Sequence, residues 1–600
     1  MRRILIAVVA AVALTTGLVA GCGIPDHTEV KTEDRGPVAG SDHETSPPGT
    51  PKERQDATSP AEFVANFLEA PAGEFETSRP RVQQYMAPEL RDSVTFKPGV
   101  AVVEVLGSHW DVNVENKVTI TVRHLGLLNA DGEILRPTEM ETQYTLEFGE
   151  IEGASPGFFM TKAPQVTLMN VDALPVFYTQ RTVYFWNADH TALIPDLRWL
   201  PTDVSLGRVP TELLKMIERG PSPWLGDVAS PLPEGSKLII NAPQEGNQLT
   251  MNWSPQSVDN GSSEDYLAQQ VAWTLGPAPP AKLNLKINGQ LQKDYDTVSL
   301  QAQLPYPVGR DVNAFAVLDG KIRALAGPAA TLPSPLTGAA DQNVRWAAFS
   351  RSGDQLLGAV VSDKNTVVGD KNTTLFVGSA TDGSIDTLSP VRGIVATSPP
   401  TWIPRAKIGL VTTADGLYTF AADGTSKKVA PTEIPGTVTS VAAAPEGHRI
   451  AVIADRKLFV VALSITQDGT LAFEPPRPLV APLVSLTAVA WTGETSLAVG
   501  GTSEETNRPA IVDLSIDGVR HYDRTLDARA TVTMIAAYPE NQTLDRSSAV
   551  MYGAGNQTWS LRPPQPIPVE RANLAGETPQ PSPSSGNPPP SQPTAPFYIY

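Results

Sequence analysis

One cysteine, Cys22, stands in a chain of 600 residues. A lone thiol cannot form a disulfide within the chain, and it cannot supply a cysteine-based zinc site or an iron–sulfur cluster. The seven histidines are His27, His43, His109, His124, His190, His448 and His521. None pair as H-E-x-x-H or H-x-H, and the chain carries no G-x-x-x-x-G-K-[ST] phosphate loop. Each histidine is read as a surface residue. Asp363-Lys364-Asn365 and Asp370-Lys371-Asn372 place carboxylates and amides two apart, a spacing that can suit Ca²⁺. Two lysines intrude and no bidentate Glu follows, so the segment is read as a polar hairpin loop. No catalytic, cofactor-binding or metal-binding residue is expected, and the chain is not read as an enzyme.

The residues before Cys22 say what its sulfur is for. Met1-Arg2-Arg3 is positive, and Ile4 to Leu18 is apolar apart from Thr15, Thr16 and Gly17. The run is short for a membrane span of about 20 apolar residues and fits a cleavable signal over residues 1–21. Val19-Ala20-Gly21 then leads into Cys22. Small residues directly before a cysteine resemble the lipobox of bacterial lipoproteins. That resemblance implies a diacylglyceryl group on the Cys22 sulfur and cleavage before Cys22. The implied partner is membrane lipid, and the implied place is the extracytoplasmic face of the cell membrane. Two acyl chains anchor stably where one holds marginally. The plainer reading is an ordinary signal with an incidental cysteine. It must explain why the sole cysteine falls at the one position the chemistry requires.

The formal charge is −18. Nucleic-acid binding draws on Lys and Arg against phosphate, so a nucleic-acid partner is not expected. Residues 22–59 are rich in Pro, Gly, Ser, Thr and acids and read as a disordered tether between lipid and folded body.

Three folded segments follow. Over 60–180, Ser59-Pro60-Ala61-Glu62 opens a helix, a second short helix is expected around Arg81 to Leu90, and alternating strands succeed them. The order argues an α+β domain and resembles NTF2-like folds. Over 181–300 the expected elements are a strand at 182–186, a return at 192–195, a helix at 211–217, strands at 236–241 and 248–253, a helix at 266–275 and a strand at 283–287. Arg198, the run Arg219-Gly220-Pro221-Ser222 and the turn Leu232-Pro233-Glu234-Gly235-Ser236 complete the pattern. It resembles the GerMN domain of spore-germination proteins, again α+β.

Over 310–562 an inner pair of apolar strands recurs, at Val344–Val361, Val438–Ile453 and Leu486–Val499, with poorer copies at Ser398–Thr412 and Val532–Tyr552. Asp-Gly pairs interleave at Asp319, Asp382, Asp423, Asp468 and Asp517. Their recurrence marks them as turns rather than acid–base groups. Strand pairs at this period predict an all-β propeller of about 5–6 blades. The expected closure joins the Asp319 hairpin to the strands of Val532–Leu561. Trp346, Trp402 and Trp491 fall at equivalent positions and read as packing residues. Trp224 sits in a loop, where it shields a helix end or stacks on a sugar or partner. Residues 563–600 are Pro/Ser-rich and read as a disordered tail. Its end, Phe597-Tyr598-Ile599-Tyr600, is either loose or a docking peptide.

A lipobox, an N-terminal α+β domain, a GerMN-like domain and a propeller in this order resemble the actinobacterial LpqB lipoprotein family. The resemblance implies an accessory of a two-component system that binds the extracellular domain of the sensor histidine kinase MtrB. It would thereby tune phosphorylation of the regulator MtrA, and with it cell-wall metabolism and division. The alternative is a receptor for an envelope glycan or peptide, a cell-wall ligand held on the propeller face. An envelope hydrolase is the least favoured reading, because no clustered-histidine or paired-carboxylate motif is present.

Overall fold

In the computed structural model of the protein, the described residues are 50–599 apart from 92–98, 112–115, 138–139, 259–262, 303–311, 327–332, 363–373, 382, 431, 467–468, 541–546, 563–564 and 578–590. Cys22, His27, His43 and the loop around Asp363 and Asp370 lie outside them.

The N-terminal domain begins with helix Pro60–Glu69. Ser59 Oγ accepts from the Glu62 backbone N–H, and the Glu62 carboxylate reaches back to the Thr58 N–H at 2.9 Å. These bonds satisfy donors that a helix start leaves open. Helix Phe75–Tyr85 follows, and a short turn of helix spans Pro88–Arg91. The sheet runs Phe159–Lys162, Glu141–Gly149, Lys117–Leu128, Val100–Trp110 and Leu168–Asn170 from edge to edge. Side chains alternate across it. Ala101, Val103, Ile120 and Val122 pack with Phe63, Phe67, Tyr85 and Phe148 of one core. Val100, Val102, Leu128 and Ile134 pack on the other side with Tyr178 and Trp199 of the next domain.

The middle domain opens with the antiparallel pair Tyr178–Trp186 and Leu193–Pro201. Helix Val209–Arg219 buries Leu213, Leu214, Met216 and Ile217, and Gly220 ends it at φ 91. Strands Gln248–Trp253 and Lys282–Ile287 run parallel. Helix Ser263–Thr274 supplies the crossover that parallel strands require. The expected strand over 236–241 is not formed. Leu238 makes a single bridge to Trp253, while Ile239 and Ile240 point to solvent. Residues 244–245 take the sheet edge beside 248–249 instead.

Among the described residues, the last part forms six sheets. Their inner strands are Thr594–Ile599, Val344–Ser352, Thr401–Trp402, Val438–Ala443, Leu483–Trp491 and Val532–Tyr538. Each inner strand packs against the next in that order, and Val532–Tyr538 packs back on Thr594–Ile599, so the circuit closes. A closed circuit leaves no long open edge.

Closure differs from the sequence expectation in two ways. The strands of Val532–Arg562 pair with Gln565–Pro568 into a complete four-stranded sheet. The hairpin Asn313–Leu318 and Lys321–Ala324 pairs instead with Thr594–Ile599. Residues 594–599 are therefore neither a loose tail nor an exposed docking peptide, while residues 578–590 of the expected tail lie outside the described residues. Phe597 stacks on Phe315 at 5.3 Å and on Phe349 at 5.5 Å, and Tyr598 meets Tyr538 edge-on. Burial of these rings is what holds the strand in the ring.

Candidate functional site

Among the described histidines, His109, His190 and His521 are exposed, and His190 stacks on Tyr266 at 4.4 Å. His124 is buried beside the Tyr144 hydroxyl. The surface reading fails for His124, and His448 is half-buried, its Nδ1 lying 3.2 Å from the Leu463 carbonyl. Burial holds the His448 ring below its ordinary pKa. Among the described residues, no three His, Cys, Asp or Glu side chains are placed to hold a metal ion.

The tryptophans are packing residues. Trp402 Nε1 donates to the Ala348 carbonyl and Trp491 Nε1 to the Ala442 carbonyl. Each thus ties its inner strand to that of the preceding sheet. Trp224 packs between the middle domain and the ring, with the Arg477 guanidinium 5.5 Å above its ring.

What the fold does assemble is a junction of three domains along strand Leu193–Pro201, buried along nearly its whole length. Arg198 is fully buried there and uses all five of its N–H donors. Nε and Nη2 donate to Asp196, Nη2 also to the Gly220 carbonyl, and Nη1 to the Glu133 carboxylate at 2.8 Å and the Asp131 carbonyl. Glu133 and Asp131 belong to the N-terminal domain. Burial pushes the Glu133 carboxyl up, and Arg198 opposes it.

On the other side the same strand meets the ring. Arg449, also fully buried, donates to Glu446 at 2.6 Å, to the Pro195 carbonyl at 3.2 Å and to the Glu494 carbonyl at 2.7 Å. The Tyr184 hydroxyl donates to Glu494 at 2.5 Å, and its pKa is pushed well up by burial and by that carboxylate. Glu474 of the ring accepts from the Asp227 N–H. Gly226 adjoins this contact, where an added Cβ would overlap the Glu474 carboxylate. Arg477 reaches the Ile134 carbonyl of the N-terminal domain at 2.8 Å. Sequence reading passed over Arg449, Glu494 and Glu474, since charged residues in turns give no sign of burial.

These contacts define the two ends of the ring. Glu446, Arg449, Glu494 and Asp517 sit in or beside turns that join first to second or third to outermost strands. In antiparallel sheets those turns share one end, and it is the covered one. The turns joining second to third strands, at Asp319-Gly320, Asp455-Arg456, Glu504–Asn507 and Gly555-Asn556, lie at the opposite end and face outward. The Asp319-Gly320 turn is thus at the other end from Asp423-Gly424 and Asp517-Gly518, which join third to outermost strands. The sequence expectation grouped these three together. Between the ends, the inner-strand residues Ser350, Thr439 and Thr533, with Ser398 just before an inner strand, line a cavity of about 150 Å³.

Comparisons with known proteins match this arrangement. Residues 322–583 match a family described as the lipoprotein LpqB beta-propeller domain. Residues 182–293 match a family described as sporulation and spore germination. Lipoprotein LpqB of Mycolicibacterium smegmatis is 23% identical over 580 residues, covering 90% of this chain and 93% of that one. Lipoprotein LpqB of Nocardia farcinica is 22% identical over 547 residues, covering 83% and 86%. That of Thermobifida fusca is 22% identical over 559 residues, covering 83% and 88%. Both domain matches and near-full-length coverage by these relatives point one way: the chain carries a region matching the LpqB beta-propeller family and is similar to LpqB lipoproteins over nearly its whole length.

Proposed function

We propose that the protein is anchored at the extracytoplasmic face of the cell membrane through lipid on Cys22. In this reading its folded body binds the extracellular domain of the sensor histidine kinase MtrB. It thereby modulates two-component signalling through MtrA that controls cell-wall metabolism and division. The N-terminal domain is taken as NTF2-like and the ring as a six-bladed propeller.

The observation that carries this reading is the junction itself. Buried charged contacts along Leu193–Pro201 join three domains and cover one end of the ring. The outward end is then a surface held in a fixed orientation to the membrane-side domains. Its work is binding: preferring one kinase conformation shifts the kinase equilibrium by the difference in affinity. A tenfold shift needs about 1.4 kcal/mol of preference. Co-purification of the lipidated chain with the kinase ectodomain tests it. The reading predicts that the complex forms and that Cys22→Ser loses membrane retention while the body folds. Unchanged MtrA phosphorylation after deletion of the protein would contradict it.

The hydroxyl-lined cavity at the ring centre supports a second reading, a receptor for an envelope glycan or peptide. Saturable binding of purified cell-wall fragments, lost on Thr533→Val, would favour it.

A further inference from the structure

Four successive sheets of the ring carry a charged residue just beyond the end of the inner strand: Arg405, Glu446, Glu494 and Glu540. The first three hold the middle domain. Arg405 Nη1 donates to the Thr191 carbonyl at 3.3 Å. Glu446 fixes Arg449, which donates to the Pro195 carbonyl. Glu494 accepts from the Tyr184 hydroxyl. Glu540, the fourth, makes no hydrogen bond to the middle domain among the described residues. It is turned against the ring instead. Its N–H donates to the Thr492 carbonyl at 2.8 Å, and its Oε1 lies so close to Gly493 that an added Cβ there would come within 2.6 Å of it.

Glu540 thus packs on the turn that carries Glu494. The other charged side chains facing it among the described residues are Asp513 and Arg524, on the two outer strands of the same sheet as Glu494. Arg524 Nε is engaged with both oxygens of Asp513, at 2.8 and 2.7 Å, and Arg449 is engaged with Glu446. Neither guanidinium is bonded to Glu540. Two carboxyls brought together out of water favour a proton on one of them. Burial first, then the charges of Glu494 and Asp513, push the Glu540 carboxyl up to about 7, with Arg524 opposing. A value raised in the folded form means that the proton is held below about pH 7 and lost above it.

We propose that Glu540 is a proton switch on the seating of the middle domain against the ring. With its proton on, Glu494 alone of the pair is charged and keeps the Tyr184 hydroxyl. With the proton lost, two carboxylates crowd one buried turn. Glu494 is relieved by turning toward water, and to do so it gives up Tyr184, the bond that ties strand Tyr178–Trp186 to that turn. Arg405 and Arg449 stay charged throughout and go on holding Thr191 and Pro195. Rising pH therefore loosens the middle domain at one edge and not along the whole junction. The device lies within the chain and needs no partner.

Amide hydrogen exchange of the full-length chain at pH 6 and pH 8, corrected for intrinsic rates, tests it. The expected result is a severalfold loss of protection at pH 8 over strand Tyr178–Trp186. Strand Lys117–Leu128 of the N-terminal domain should keep its protection, which a general loss of stability would not allow. Glu540→Gln should hold the pH 6 protection at pH 8. Glu494→Gln removes the other carboxyl of the pair and should likewise make protection independent of pH. Equal protection of the unaltered chain at both pH values overturns the proposal. So does a pH-dependent loss that persists in both variants, and so does a Glu540→Gln effect of the same size at pH 6 and pH 8, which a merely structural carboxyl would give.

Discussion

The indole Nε1 of Trp199 donates to Asp517 Oδ2 at 2.7 Å across 318 residues, with both side chains buried. Asp517 belongs to an Asp-Gly turn of the ring, and its other oxygen accepts from the Val519 N–H and the Ser515 hydroxyl. A turn aspartate thus also locks the middle domain to the ring.

Trp199→Phe keeps the ring in place and leaves one buried carboxylate oxygen without its donor. The expected cost is about 1–3 kcal/mol in denaturant unfolding. Paired with Asp517→Asn, the two changes should couple by more than about 0.5 kcal/mol. Additive effects would mean that the bond does not join the domains energetically.

Arg198→Met removes the guanidinium that bonds both Asp196 and Glu133 and leaves those two buried carboxylates without it. Removing one partner of a buried pair costs about 3–5 kcal/mol. Arg198→Lys should rescue little, because an ammonium cannot make the planar fork that meets Asp196, Glu133 and two carbonyls together. Limited proteolysis between the N-terminal and middle domains would register the loss.

Glu540 lies under the covered end of the ring beside Gly493. Burial, then the charges of Glu494 and Asp513, push its carboxyl up to about 7, with Arg524 opposing. A raised folded-state pKa means the folded form holds the proton more tightly than the unfolded form. The stabilisation is complete below about pH 4.5 and is lost as pH rises through about 7. Glu540→Gln should therefore raise the apparent thermal midpoint at pH 8 and not at pH 4.5. The gain corresponds to about 1–3 kcal/mol. An equal change at both pH values would contradict this.

Deleting residues 591–600 takes away the inner strand of one sheet, and with it the buried Phe597, Tyr598 and Ile599. At about 1.5–3 kcal/mol per large apolar side chain, the ring should unfold far more readily and expose dye-binding surface. A synthetic peptide of the deleted sequence, supplied in excess, should restore part of the lost midpoint.

The fold was legible where pattern and period agree. Inner strands such as Val438–Ala443 and Leu483–Trp491 show as apolar repeats. Helix Pro60–Glu69 shows through Ser59, Pro60 and Glu62. Thr594–Ile599 was hidden because it follows a proline-rich run, and its partner Asn313–Leu318 lies nearly 300 residues earlier. Periodicity is a local signal, and closure of a ring is a long-range one. The junction was hidden for a related reason. Arg198 belongs to a recognisable domain pattern, but nothing local shows that Glu133 lies against it. Arg449 and Glu494 read as ordinary turn charges until the middle domain covers them.

The most direct test of the binding account is photocrosslinking in intact cells from single positions on the ring and elsewhere. Arg456 and Glu505 stand exposed on outward turns, and Leu291 stands exposed on the outer strand of the middle domain. The account predicts adducts to the kinase ectodomain from Arg456 or Glu505 and not from Leu291. Adducts from Leu291 alone, or none to the kinase from any of the three, would contradict it.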